Sequence, residues 1–158
     1  MKSPARSAPP RIFLLSPAHC GGERAQLVFN EQARFNLAVR LRGREGATLA
    51  ETFTFLSGLY FRGKIAYGLH FARPPAGIPG VLIITPNEGL RLHNERVDLE
   101  RLRKFAHVDI ARDDPRYHRP MLRDVRYGVS MARRGWLRKS EVLNTLGVEE
   151  FRREVRPS

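Results

Sequence analysis

The sequence predicts an α/β domain in three layers, with a short, mostly parallel sheet flanked by helices and a basic helical segment at the C-terminus. Three observations carry this. RIFLLS (Arg11 to Ser16) and GVLIITP (Gly80 to Pro86) are apolar runs of strand composition. Each is followed by a stretch with helical spacing. The order strand, helix, strand, helix implies parallel strands joined by right-handed crossovers. The 158 residues suit one domain, and a hydrophobic fraction of 42% supports one core. The expected boundaries are a disordered tail over 1–10, the α/β domain over 11–135 and a helical extension over 136–158.

MKSPARSAPP, rich in proline and without an apolar stretch, is a tail and not a signal peptide. RIFLLS, bounded by Pro17, is a buried strand, and GERAQLVF begins a helix after Gly22. Leu37 to Gly46 alternates apolar and basic residues, as either a surface strand or the end of a helix does. Thr52 to Phe55 alternates like a strand. Beyond it, Ser57 is an N-cap candidate with Leu56 and Phe61 placed as a hydrophobic staple, which predicts a helix from Gly58 to Ala72 stopped by Pro74-Pro75.

Val81 to Ile84 lacks a polar face and reads as a central strand. Asp98 caps a helix over LERLRKFA with Leu99, Leu102 and Phe105 inward. HVDI (His107 to Ile110) reads as a further strand and ARDDPRYHRP as a polar loop. A helix then starts at Pro120, with Leu122, Val125 and Val129 as its apolar stripe. After Gly135, two short helices flank Gly147-Val148. Glu149-Glu150 would repel phosphate there, so a helical hairpin fits better than a DNA-reading helix-turn-helix.

Charge is the strongest global signal, since 28 Lys+Arg against 16 Asp+Glu give +12 and a pI near 11.1. The excess is +5 over residues 1–48, +2 over 49–110 and +5 over 111–158. Arginine dominates, which favours planar phosphate contacts. A nucleic-acid or nucleotide partner is expected, with an acidic protein partner as the alternative. No apolar run reaches the roughly 18 residues that span a bilayer, so the expected location is the cytoplasm without membrane association. The single cysteine, Cys20, rules out an internal disulfide, and no metal or cofactor is expected.

Ligands of such sheets bind beyond the carboxyl ends of the strands, which selects two loops, SPAHCGGERA and TPNEGLRLHNER. In the first, the Gly21-Gly22 amides and Arg24 form an anion cradle, although the stretch matches neither the P-loop nor the dinucleotide fingerprint. Arg62 and Lys64, on the glycine-interrupted helix, reach phosphates, whereas Tyr60 and Tyr67 are assigned to the core. The enzymatic alternative, a hydrolase-like reaction, uses Cys20 as nucleophile with His93 as base, or Glu88 or His93 to activate water.

With Ser57, Tyr60 and Phe61 in LSGLYFRGKIAYG, and Thr85, Pro86, Gly89 and Leu90 in VLIITPNEGLRLHNERVDLERL, the chain resembles small bacterial domains related to the peroxide-stress protein YaaA. The likeness covers roughly residues 11–105. It departs in Thr85-Pro86, which stands where relatives carry Ser-Ala, in Asn87-Glu88, and in the spacing of the first motif. The resemblance implies an α/β fold, a cytoplasmic location and association with nucleic acid or nucleotide, with no assured enzymatic activity.

Overall fold

The computed structural model describes residues 10–110 and 113–133. Residues 1–9 of the expected tail, the whole expected extension over 136–158 and the Val129 side chain lie outside the described residues. The architecture is mixed α and β. Strand β1 (Phe13–Leu15) pairs in parallel with β3 (Val81–Thr85), Phe13 opposite Val81 and Leu15 opposite Ile83. Strand β4 (Gly89–Leu92) pairs antiparallel with β3, giving the order β1-β3-β4. The GVLIITP run is therefore central, as its two apolar faces require. A second small sheet joins β2 (Ala47–Thr48) to β5 (Arg96–Val97), antiparallel.

The expectation of a mostly parallel sheet is corrected by β4. TPNEGLRLHNER is not a strand-to-helix loop; it turns back as a hairpin. Pro86, Asn87 and Glu88 form a three-residue turn that returns through Gly89 at φ 77°, the left-handed position such hairpins require. The buried Thr85 hydroxyl closes it, accepting from the Glu88 amide at 3.1 Å and donating to the Gly89 carbonyl at 2.8 Å. A side-chain hydroxyl thus completes the backbone hydrogen bonding of a turn that the apolar pattern cannot reveal.

Period-two alternation sends side chains to two cores. Leu15, Val81 and Ile83 enter a large cluster with Phe53, Phe61 and Phe105, while Ile12, Leu14 and Ile84 enter a smaller one with Met121 and Val125. The large cluster is covered by α1 (Glu23–Phe29), α2 (Asn36–Arg42), α3 (Leu49–Ser57), α4 (Leu59–Phe71) and α5 (Leu99–Ala106), and the small one by α6 (Pro115–Arg133). The Asp98 cap of α5 forms as expected, its Oδ1 accepting from the Arg101 amide at 2.7 Å, and Leu99, Leu102 and Phe105 are buried.

One open reading is decided and four expectations change. The undecided stretch over 37–46 is largely helical, as α2. Thr52 to Phe55 is helix, not strand, because Thr48 and Glu51 form a complete capping box ahead of it. Leu49, Thr52, Phe53 and Leu56 then fall on one buried helical face. Ser57 does not cap the next helix. It ends α3, and Gly58, at φ 64°, separates α3 from α4. HVDI is a turn after α5, and α6 starts at Pro115, which places Pro120 inside it.

The start of α3 is satisfied from outside the helix. The Leu49 amide donates to the Glu95 carbonyl at 2.8 Å, the Ala50 amide to that of His93 at 2.9 Å, and the Glu51 amide to Thr48 Oγ1 at 3.2 Å. Three of the donors a helix leaves open at its start are thereby used, two of them by the segment that joins β4 to β5.

Two outcomes are expected. A Cβ at Gly89 would stand 2.7 Å from the Pro120 carbonyl oxygen and in a left-handed backbone, so Gly89→Ala should cost at least about 1–2 kcal/mol of unfolding free energy, measured by urea titration. The hydrogen bond from Arg40 and those from Thr48 hold Glu51 down from 4.5 to about 2. Its contribution is complete above pH 4.5 and is lost as pH falls toward 2. Glu51→Gln should flatten that acid limb of the stability curve.

Candidate nucleic-acid interface

Helix α4 buries Phe61, Ile65 and Gly68 against the sheet, and Gly68 admits the Val81 and Phe13 side chains at contact distance. The rest of its sequence is apolar or basic, and it turns much of that outward. Leu59 is 83% exposed, Tyr60 72%, Tyr67 55% and Leu69 50%. Tyr60 and Tyr67 were expected in the core and are surface residues. The helix is apolar on both faces, so an apolar stripe could not decide which side packs inward. Glycine was the available signal: Gly68 sits on the face that needs close approach to a strand.

The α4 surface has one sign of charge. Between Glu51 and Glu88 the chain contains no carboxylate, while it holds Arg62, Lys64, His70 and Arg73. Arg62 is exposed with no side-chain partner among the described residues. Lys64 is half-buried, and its Nζ donates to Ser16 Oγ at 2.5 Å while lying 4.1 Å from the Tyr60 ring centre. The end of β1 thus fixes the lysine, and the lysine backs one face of the tyrosine ring by a cation–π contact. At the far end of α4, a reciprocal backbone pair joins Arg11 and Arg73 (2.7 and 2.9 Å), placing two exposed arginines side by side.

The expected anion cradle is arranged differently. Gly22 is the N-cap of α1, a helix of 7 residues without a side-chain cap, and the His19 ring lies over Gly21 and Gly22. Arg24 faces away toward α3. Its Nη1 donates to the Phe55 carbonyl at 3.0 Å, among the last carbonyls of that helix, and lies against Gly58. Arg24 therefore closes the C-terminus of α3, where a cation also complements the helix dipole. Gly21, Gly22 and Arg24 shape the turn and the α3–α4 junction, while Arg62 and Lys64 sit on the outward helix.

The residues expected for catalysis occupy three separate settings. Cys20 is buried in the large core, its Sγ donating to the Ala18 carbonyl at 3.4 Å, and burial pushes its thiol up to about 12. A thiol so held is not the thiolate that nucleophilic attack needs. Glu88 accepts from Arg91 Nε at 3.2 Å and from Arg101 Nε at 3.1 Å, with a further contact to Arg101 Nη2. Arg101 also reaches Glu95 at 2.6 Å. Burial works against the Arg101 charge, and the Glu88 and Glu95 carboxylates outweigh it, leaving its pKa raised. His93 stands at the opposite end of β4 from Glu88, and its carbonyl serves the start of α3. Asn87 donates to the Lys104 carbonyl at 3.1 Å, tying the hairpin turn to the end of α5. Among the described residues no group of three His, Cys, Asp or Glu side chains could hold a metal ion.

Compared with family models, with curated proteins and with solved structures, the chain finds no match. No helix among the described residues is long and apolar enough to cross a membrane.

The setting of Cys20 has a measurable consequence. Because the folded state holds the proton more tightly than the unfolded one (about 12 against 9.0), the thiol contributes no pH dependence below pH 9 and its effect lowers stability as pH rises from there toward 12. Reaction with an aromatic disulfide reagent at neutral pH should be slower in the native protein by orders of magnitude than in denaturant. Equal rates would show an accessible thiolate.

Proposed function

We propose that the protein binds nucleic acid, with the outward face of α4 as the contact surface. The supporting observation is a helix that exposes Tyr60 and Tyr67 on one face and carries Arg62, Lys64 and His70 elsewhere on its surface, in a stretch free of carboxylates. Phosphate attraction supplies affinity of the sequence-independent kind, and aromatic rings supply flat surfaces for bases. Several arginines elsewhere are already engaged: Arg40 holds Glu51, Arg42 the Asn30 carbonyl, Arg101 two glutamates and Arg116 Asp114. The net charge of +12 still draws polyanions toward the molecule. On α4 the cations Arg62 and Lys64 stand beside exposed tyrosine rings, and that combination sets where they settle.

The reading extends the resemblance to YaaA-related domains, takes the protein to be cytoplasmic and treats the sheet with helices on its two faces as the scaffold of the surface. An acidic protein partner would use the same charge, but the paired tyrosines favour bases over carboxylates.

Anisotropy of a labelled oligonucleotide, titrated with the full chain across a salt series, is the direct measurement. The logarithm of the affinity should fall linearly with that of the salt concentration, and Arg62→Ala should lower the slope by about 1. Salt-independent affinity, or none at low salt, would remove this reading.

A further inference from the structure

We infer that the preferred ligand is single-stranded, with bases stacked on Tyr60 and Tyr67 across a gap that Gly63 keeps open; the inference rests on the nucleic-acid reading above. Tyr60 and Tyr67 are two helical turns apart on one face, about 10 Å along the axis at 1.5 Å per residue. Neither ring is enclosed. Tyr60 has Lys64 over one face and is 72% exposed, while Tyr67 meets Phe13 edge-on and leans on Phe71, leaving it 55% exposed.

Gly63 lies between them on the helix surface, and apart from its chain neighbours and its own helix backbone no atom of the described residues comes within 4 Å of the place a Cβ would take. Glycine in mid-helix is unfavourable. At Gly68 the fold supplies the reason, since Val81 and Phe13 press against it. At Gly63 it supplies none. An external group that approaches the helix backbone between two rings accounts for both the glycine and the exposed tyrosines. Bases of a duplex are already stacked on one another and cannot lie flat on side chains, whereas those of a single strand can.

A second copy of the chain is the competing occupant of an apolar helix face. Two copies joined along α4 would bring Arg62, Lys64 and His70 together with their counterparts and no carboxylate between them. Charge complementarity therefore favours a polyanion.

The test compares a short labelled thymidine oligonucleotide with a duplex of the same length, using the full chain and the variants Tyr60→Ala, Tyr67→Ala, Tyr60→Phe and Gly63→Leu. Single strand should bind more tightly than duplex. Each alanine variant should weaken it about tenfold with the salt slope unchanged, and Tyr60→Phe should retain affinity. Gly63→Leu, whose Cβ would stand in open space on the exposed helix surface, should stay folded by circular dichroism and lose single-strand affinity. Equal binding of both forms with the variants at wild-type strength would overturn the stacking inference and leave the nucleic-acid reading standing. No binding of either form at low salt, with a dimer at working concentration, would overturn both.

Discussion

The start of α3 is the junction on which the rest of the fold hangs. Its first two amides bond to the Glu95 and His93 carbonyls, and the third to Thr48. This joins the first half of the chain to the β4–β5 connection and sets the direction in which α3 points Phe53. That ring then makes edge-to-face contacts with Phe61 of α4 at 5.6 Å and with Phe105 of α5 at 6.2 Å. Three helices thus orient on one side chain, and aromatic geometry of this kind adds to the area it buries. Without the carbonyls at 93 and 95, α3 would begin with unsatisfied donors beside the core, a cost that buried backbone rarely bears.

How much of this was legible in the sequence depends on how local the cause is. The β1 and β3 strands, the α1 start after Gly22 and the Asp98 cap rest on short, nearby patterns, and the structure has them all. The alternation of Thr52 to Phe55 misled because it spans too few residues to separate a period of 2 from one of 3.6. The capping box four residues earlier, Thr48 to Glu51, was the deciding signal. The β3–β4 hairpin was hidden because its turn is closed by Thr85, a residue that also fits a strand end.

The candidate site was legible in part. Arg62 and Lys64 lie on the outward helix, whereas Arg24 has a carbonyl to close and Glu88 has two arginines to hold. Charge in the sequence does not say whether a cation is already used. The same limit applies to Tyr60 and Tyr67: composition marks them as apolar bodies with a polar tip, and only the packing of Gly68 against β3 reveals that they face the other way.

Asp124 of α6 accepts the outward-facing amide of Leu90 at 2.9 Å. Strand β4 is the edge of the sheet, and an open edge is a template on which another chain can add a strand. A carboxylate lodged on that amide, with a helix laid along the strand, occupies the template. In a chain whose outward helix already displays leucine and tyrosine, this guard separates two kinds of stickiness: reversible adhesion through side chains stays available, while irreversible β-polymerisation is kept out.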